Sequence, residues 1–242
     1  MPFNKLKYHI NDINTDTDNI VVIWYHNYSG GKTLLNCLAL NDGALFPDKN
    51  MAEAQLDGKF TTDDKMNYVR TELSKLKKGD FWNDLNLSCD NFFGIKKAEY
   101  EQQFRGVYYN TVVKRAVDSN LKFFRATHYK NQLFPILNIW KNAKLILLDN
   151  VEQFVERRCK ADHRIINYYD MLKGFRENIN ELSSLPNVVA KFDTRAWDRT
   201  ETTVEEVERM YNVLNLPNFN KNYIAEYHKK WLIKVDELSK PN

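Results

Sequence analysis

Four short apolar runs rich in β-branched or aromatic residues punctuate the chain: Ile20–Tyr25 (IVVIWY), Leu121–Thr127 (LKFFRAT), Ala143–Leu148 (AKLILL) and Val188–Phe192 (VVAKF). The stretches between them have helical character. Continuous apolar strands need cover on both faces, and parallel neighbours need crossover connections, so this pattern predicts an α/β fold with a mainly parallel central sheet flanked by helices. With 242 residues and no repeat or low-complexity linker, one domain over 1–242 is expected.

Between the first two runs, Asn36–Leu40 continues a first helix until Asn41-Asp42-Gly43 stops it, with Gly43 expected in a left-handed C-terminal turn. The region 51–120 shows no strand of its own. Its Asp64–Lys78 and Glu99–Ala116 portions read as amphipathic helices around LSCDNFFGI. That region is either plain helical packing or the acceptor side of a cleft, with Trp82, Phe92, Phe93, Tyr100, Tyr108 and Tyr109 as candidate walls. Near the end, Thr203–Leu214 places Val204, Val207, Met210, Tyr211 and Leu214 at helical spacing, a stripe expected in the core.

No apolar run approaches the roughly 18 residues of a membrane span. The polar N-terminus lacks the apolar core of a secretory signal, so no membrane association and a cytoplasmic location are expected. A net charge of +3 is too small to argue for nucleic acid and is compatible with a small anionic ligand. The three cysteines, Cys37, Cys89 and Cys159, have no CxxC spacing; neither a disulfide framework nor a metal site is expected.

The first run leads directly into a polar loop and a leucine-rich helix, NIVVIWYHNYSGGKTLL. A loop between a parallel strand and a helix gathers backbone N–H groups at the positive end of the helix dipole, where anions bind. Gly30 and Gly31 let the backbone approach an anion, Lys32 brings an ammonium, and Ser29 and Thr33 bring hydroxyls. Gly31-Lys32-Thr33 matches the end of the Walker pattern, whereas His26 stands in place of its first glycine. His26 itself can touch a ligand or pack the turn.

The same segment resembles the phosphosulfate loop of sulfotransferases that use 3′-phosphoadenosine 5′-phosphosulfate (PAPS), written PKSGTTWL or KGGTRALL. Ser29-Gly30 falls on the central small pair, Leu34-Leu35 on the closing apolar residues, and Tyr28 where the family has lysine, with Lys32 as its substitute. Residues 121–148 resemble the family's strand ending in KTHLP, its LLP and its next strand: Thr127-His128, Leu133-Phe134-Pro135 and Lys144–Leu148 match in order. Phe192-Asp193 and Val213–Leu216 are similar to its YEDL and FLGL segments.

The resemblance implies sulfuryl transfer from PAPS to a hydroxyl or amine of a small-molecule acceptor, releasing adenosine 3′,5′-bisphosphate. His128 would be the general base, with Lys32 assisting, and Tyr28, Ser29, Gly30, Gly31, Lys32, Thr33 and Leu34 would form the cofactor loop. An imidazole, with a pKa of about 6.5, can accept a hydroxyl proton at neutral pH. Where the family holds the 3′-phosphate with RNPxD and a later serine, this chain has Asp149-Asn150-Val151-Glu152, with Arg157 in the serine's place. Asp149 is expected to cap a helix over Val151–Cys159, and Arg157 and Arg158 to supply the missing positive charge.

Two other readings use the same residues. KLILLD ending at Asp149, with Lys32 and Thr33, also fits a P-loop kinase or NTPase acting on Mg²⁺-ATP. A non-catalytic descendant would use the cleft only to bind a nucleotide or partner.

Overall fold

The computed structural model describes residues 16–26, 29–75, 112–153, 155–156 and 168–239. Strands β1 (Ile20–Trp24), β2 (Phe123–Thr127), β3 (Lys144–Asp149) and β4 (Val188–Asp193) form one four-stranded sheet in the order β2-β1-β3-β4. Every pairing in it is parallel. The helices are α1 (Gly31–Ala39), α2 (Lys49–Leu56), α3 (Thr62–Lys75), α4 (Lys114–Asp118), α5 (Lys130–Ile139), α6 (Tyr168–Ser183), α7 (Thr200–Leu214) and α8 (Lys221–Ser239); a 3₁₀ turn, Thr194–Asp198, joins β4 to α7. The α/β expectation and all four strands are present, each within two residues of its apolar run. No described helix is long and apolar enough to cross a membrane.

Alternation along β1 accounts for the layers. Successive strand residues point to opposite faces, and every residue of β1 is buried. Trp24 stacks on Phe175 of α6, ring centroids 5.6 Å apart, while the next residue, Tyr25, lies against Gly31 of α1. Helices therefore cover both faces, which is why β1 tolerates no polar side chain. On the α1 face, α7 presents Val204, Val207, Met210, Tyr211 and Leu214, all buried. Tyr211 donates its hydroxyl to the Cys37 carbonyl at 3.0 Å.

The strand order has a functional consequence. From β1 the chain goes to β2 on one side, then crosses back to β3 on the other, so connections diverge between β1 and β3. Open parallel sheets form their ligand crevice at the carboxyl ends of such a pair. The amino edge is instead tied shut: Asp18 bridges Lys144 (2.7 Å) and Lys122 (3.4 Å), and Lys122 also donates to Asn19 Oδ1 at 2.8 Å.

Two local expectations are corrected. Gly43 does not adopt a left-handed conformation; the positive-φ glycines described are Gly30 and Gly58. Asn41 Oδ1 accepts the Gly43 N–H at 2.7 Å to make the turn, and a Cβ at Gly43 would lie 2.5 Å from Pro217. Close packing, and not backbone handedness, calls for glycine there. Asp149 is not the cap of the following helix: Val155 donates to the Val151 carbonyl at 2.8 Å, so Val151 holds the N-cap position, and the Asp149 carboxylate accepts the N–H of Asn150, whose φ is 53°. Of the 51–120 region, 76–111 lies outside the described residues, including the six candidate wall aromatics.

Candidate functional site

At the carboxyl edge β1 and β2 continue in step past their formal ends. Trp24 stands opposite Thr127, and the Tyr25 N–H donates to the Thr127 carbonyl at 3.1 Å. The next residues on each strand, Tyr25 and His128, are thus cross-strand neighbours on one face, the face that carries α1. Their rings meet edge to face with centroids 5.5 Å apart and planes at 68°. The Tyr25 ring also presses on Gly31, where an ideal Cβ would fall 2.2 Å from Tyr25 Cγ. Tyr25 therefore touches both His128 and the first residue of α1.

His128 is half-buried, and the ring of the exposed Tyr129 lies 3.8 Å from it. The strand end beneath is fixed by side chains: Thr127 Oγ1 donates to Gln132 Oε1 at 2.7 Å and accepts the Tyr129 N–H at 3.2 Å. Arg125 Nη2 reaches the same Gln132 oxygen at 3.3 Å.

The described ends of the loop are bonded to each other. The His26 carbonyl accepts both the N–H (3.0 Å) and the hydroxyl (2.6 Å) of Ser29, so this buried hydroxyl points into the turn and not outward. The His26 ring packs on Phe175, centroids 5.4 Å apart. Gly30 occupies the N-cap position of α1 at φ 84°, ψ 22°, a left-handed conformation that disfavours any other residue. Its carbonyl accepts from Leu34 N at 3.0 Å, closing the first turn.

Gly31, Thr33 and Leu34 are buried and Lys32 is half-buried; Leu34 belongs to the core through its side chain. The first turn of α1 carries no acidic residue, so nothing on the helix offsets its positive end. Tyr28, Arg157 and Arg158 lie outside the described residues.

Beyond β3 the edge is mixed in charge. Asp149 Oδ2 lies 3.9 Å from Lys191 Nζ. Asp193 is gripped by Arg195, whose Nε lies 3.0 Å from each carboxylate oxygen, and this side-chain pairing holds Asp193 below the usual carboxylate range. Thr194 Oγ1 donates to the Asn150 carbonyl at 2.7 Å, tying the β3 and β4 turns together.

The residue that sequence reasoning missed is Trp197. Its indole N–H donates to the Ser29 carbonyl at 3.2 Å, which makes it the floor of the loop. The available signal was a lone tryptophan within the polar run DTRAWDRT, directly after a strand.

Fold and edge together define a parallel α/β protein whose glycine loop follows β1, one strand of the switch-point pair, with His128 following β2 on the other side of β1. Protein-family models, curated proteins and solved structures were all compared with this chain, and none matches.

Proposed function

We propose that the protein transfers a sulfuryl group from PAPS to a hydroxyl or amine of a small-molecule acceptor. The observation that carries this reading is the place of Tyr25, whose ring touches both the His128 imidazole and Gly31, the helix start at the glycine loop. A proton acceptor on β2 and an anion-binding turn after β1 then serve one crevice.

In the reaction, an acceptor oxygen or nitrogen forms the new bond to sulfur as its proton passes to the His128 imidazole. The bond from sulfur to the bridging phosphate oxygen breaks, and that oxygen leaves with its electron pair as part of adenosine 3′,5′-bisphosphate. The roles assigned to the N–H groups at the start of α1 and to the Lys32 ammonium are to stabilise the negative charge that gathers on the transferring and leaving groups. Thr33 is buried in the first turn and serves through its N–H. Ser29, whose hydroxyl is spent inside the turn, serves by shaping the loop.

One observation favours a second reading. Asp149 ends β3, the strand beside β1, two residues past the Trp24–Leu147 pair, which is where a P-loop enzyme places the aspartate that helps hold Mg²⁺. With Lys32 and Thr33 this describes a kinase or NTPase.

Calorimetry with adenosine 3′,5′-bisphosphate and with ATP, each with and without Mg²⁺, separates the two. Metal-independent bisphosphate binding is expected. Mg²⁺-dependent ATP binding without any bisphosphate binding would sink sulfuryl transfer. In a protein that binds the bisphosphate, His128→Ala is expected to leave that affinity within about twofold and to lower turnover by roughly 10²–10⁴-fold; unchanged turnover would point to a non-catalytic descendant.

A further inference from the structure

Trp197 is remote from the loop in sequence, yet it makes two separate contacts with it. Its indole N–H donates to the Ser29 carbonyl at 3.2 Å, and a Cβ placed on Gly30 would lie 2.6 Å from the same Nε1 atom. The ring is fully buried and held from several sides, by Phe192 (centroids 4.6 Å apart), His228 (5.9 Å, planes at 23°) and Trp231 (5.9 Å). Packing explains an aromatic ring at this position. It does not explain the N–H, which a phenylalanine would lack.

We propose that Trp197 is the positioning residue of the nucleotide loop, its indole N–H fixing the Ser29–Gly30 peptide so that the start of α1 is set to receive a phosphate. The proposal rests on the reading of the loop as a nucleotide site. A trans peptide is planar, with its C=O and N–H pointing to opposite sides. Drawing the Ser29 oxygen onto the indole therefore turns the Gly30 N–H away from the buried ring. The left-handed Gly30 is the residue that permits this arrangement, since any side chain there would strike the indole. Indole Nε1 donates and cannot accept, so the orientation of the peptide is specified and not merely allowed. A loop set before the ligand arrives loses less ordering entropy on binding.

Indole N–H cross-peaks in ¹H–¹⁵N spectra of the full chain provide the test. The one missing from Trp197→Phe identifies Trp197. Adenosine 3′,5′-bisphosphate and Mg²⁺-ATP are titrated separately, with calorimetry on both proteins. The Trp197 cross-peak is expected to shift in proportion to saturation by whichever nucleotide binds. Trp197→Phe is expected to bind that nucleotide about three- to tenfold more weakly, the effect of losing one hydrogen bond. A stationary Trp197 cross-peak at saturation, or unchanged affinity in a folded Trp197→Phe, overturns the role of Trp197 and leaves the loop reading intact. If neither nucleotide binds the wild-type chain, both fall. Should Trp197→Phe fail to fold, the wild-type cross-peak decides alone.

Discussion

Lys65 of α3 has almost no exposed surface, and its ammonium is enclosed by the carbonyls of Asn41 (2.6 Å) and Ala44 (2.7 Å). Burial is the main cause that lowers its pKa to about 7, partly opposed by the nearby Asp42 carboxylate. The unfolded chain returns Lys65 to its ordinary 10.5, so between the two values it binds more protons than the native state, and stability must rise with pH across that window. In Lys65→Met this contribution vanishes. The stability difference, wild type minus variant, is expected to grow by about 2–3 kcal/mol between pH 7 and 9.5, measured by urea denaturation at several pH values; a constant difference would contradict a native amine titrating near neutrality. Nothing around Asp64–Lys78 in the sequence marks this lysine for burial, because its partners are backbone carbonyls of a turn far up the chain. Gly30 and Gly31 illustrate the same limit. Their pairing before Lys-Thr was legible as a loop requirement, but the rings that fill the space of their missing Cβ atoms, Trp197 and Tyr25, are visible only once the sheet has brought them together.

At the scale of elements, the strands were legible because parallel strands buried on both faces must be apolar where they are covered, as β1 is along its length and β3 is between Lys144 and Asp149. The place of His128 just past a strand's carboxyl end was legible for a related reason, whereas its pairing with Tyr25 of the neighbouring strand was not. The handling of the sheet edge was not. β4 carries a bulge, since Leu145 pairs with Val188 and Ile146 with Ala190, leaving Val189 unpaired and 37% exposed. Along the same edge, Glu206 Oε1 of α7 accepts the Asp193 N–H at 2.9 Å, and Arg209 donates to the Lys191 carbonyl. These two side chains, themselves joined by Arg209 Nε to Glu206 Oε2 at 2.8 Å, cover backbone groups that would otherwise template another strand. The double variant Glu206→Ala/Arg209→Ala is expected to self-associate with rising concentration in sedimentation velocity while its melting temperature falls by only a few degrees. A strictly monomeric variant would show that the bulge alone protects the edge.

On the scale of the whole molecule, α8 is the brace that joins the early helices to the floor of the loop. Arg70 of α3 grips Glu226 through Nε (2.7 Å) and Nη2 (2.6 Å), Asn36 of α1 donates to the Tyr227 hydroxyl at 3.0 Å, and His228 meets Thr203 and Thr200 of α7 at 3.1 and 3.3 Å. Thr203 Oγ1 already donates to the Ala196 carbonyl at 2.6 Å, so it accepts from His228 Nε2–H, which leaves Nδ1 as the acceptor for the Thr200 hydroxyl. Burial lowers the His228 pKa to about 4 from its ordinary 6.5, against a backbone contact to Trp197 and the charge of Glu201. A histidine whose native pKa is depressed stabilises the fold fully above the unfolded value, and that contribution is lost as pH falls from 6.5 toward 4. The loss amounts to about 3 kcal/mol over the window. Glu226, held at about 2 chiefly by its bond to Arg70, adds its own loss only below 4.5. That loss is smaller, because both partners are partly exposed. Wild-type stability in urea should therefore decline between pH 6.5 and 4.5, before most carboxylates titrate, whereas His228→Gln should stay level through that interval. Because His228 stacks on Trp197, the native Trp197 indole cross-peak should hold still through that interval, where only the unfolded chain takes up the proton, and move as pH approaches 4; parallel stability profiles for the two proteins would remove His228 as the source.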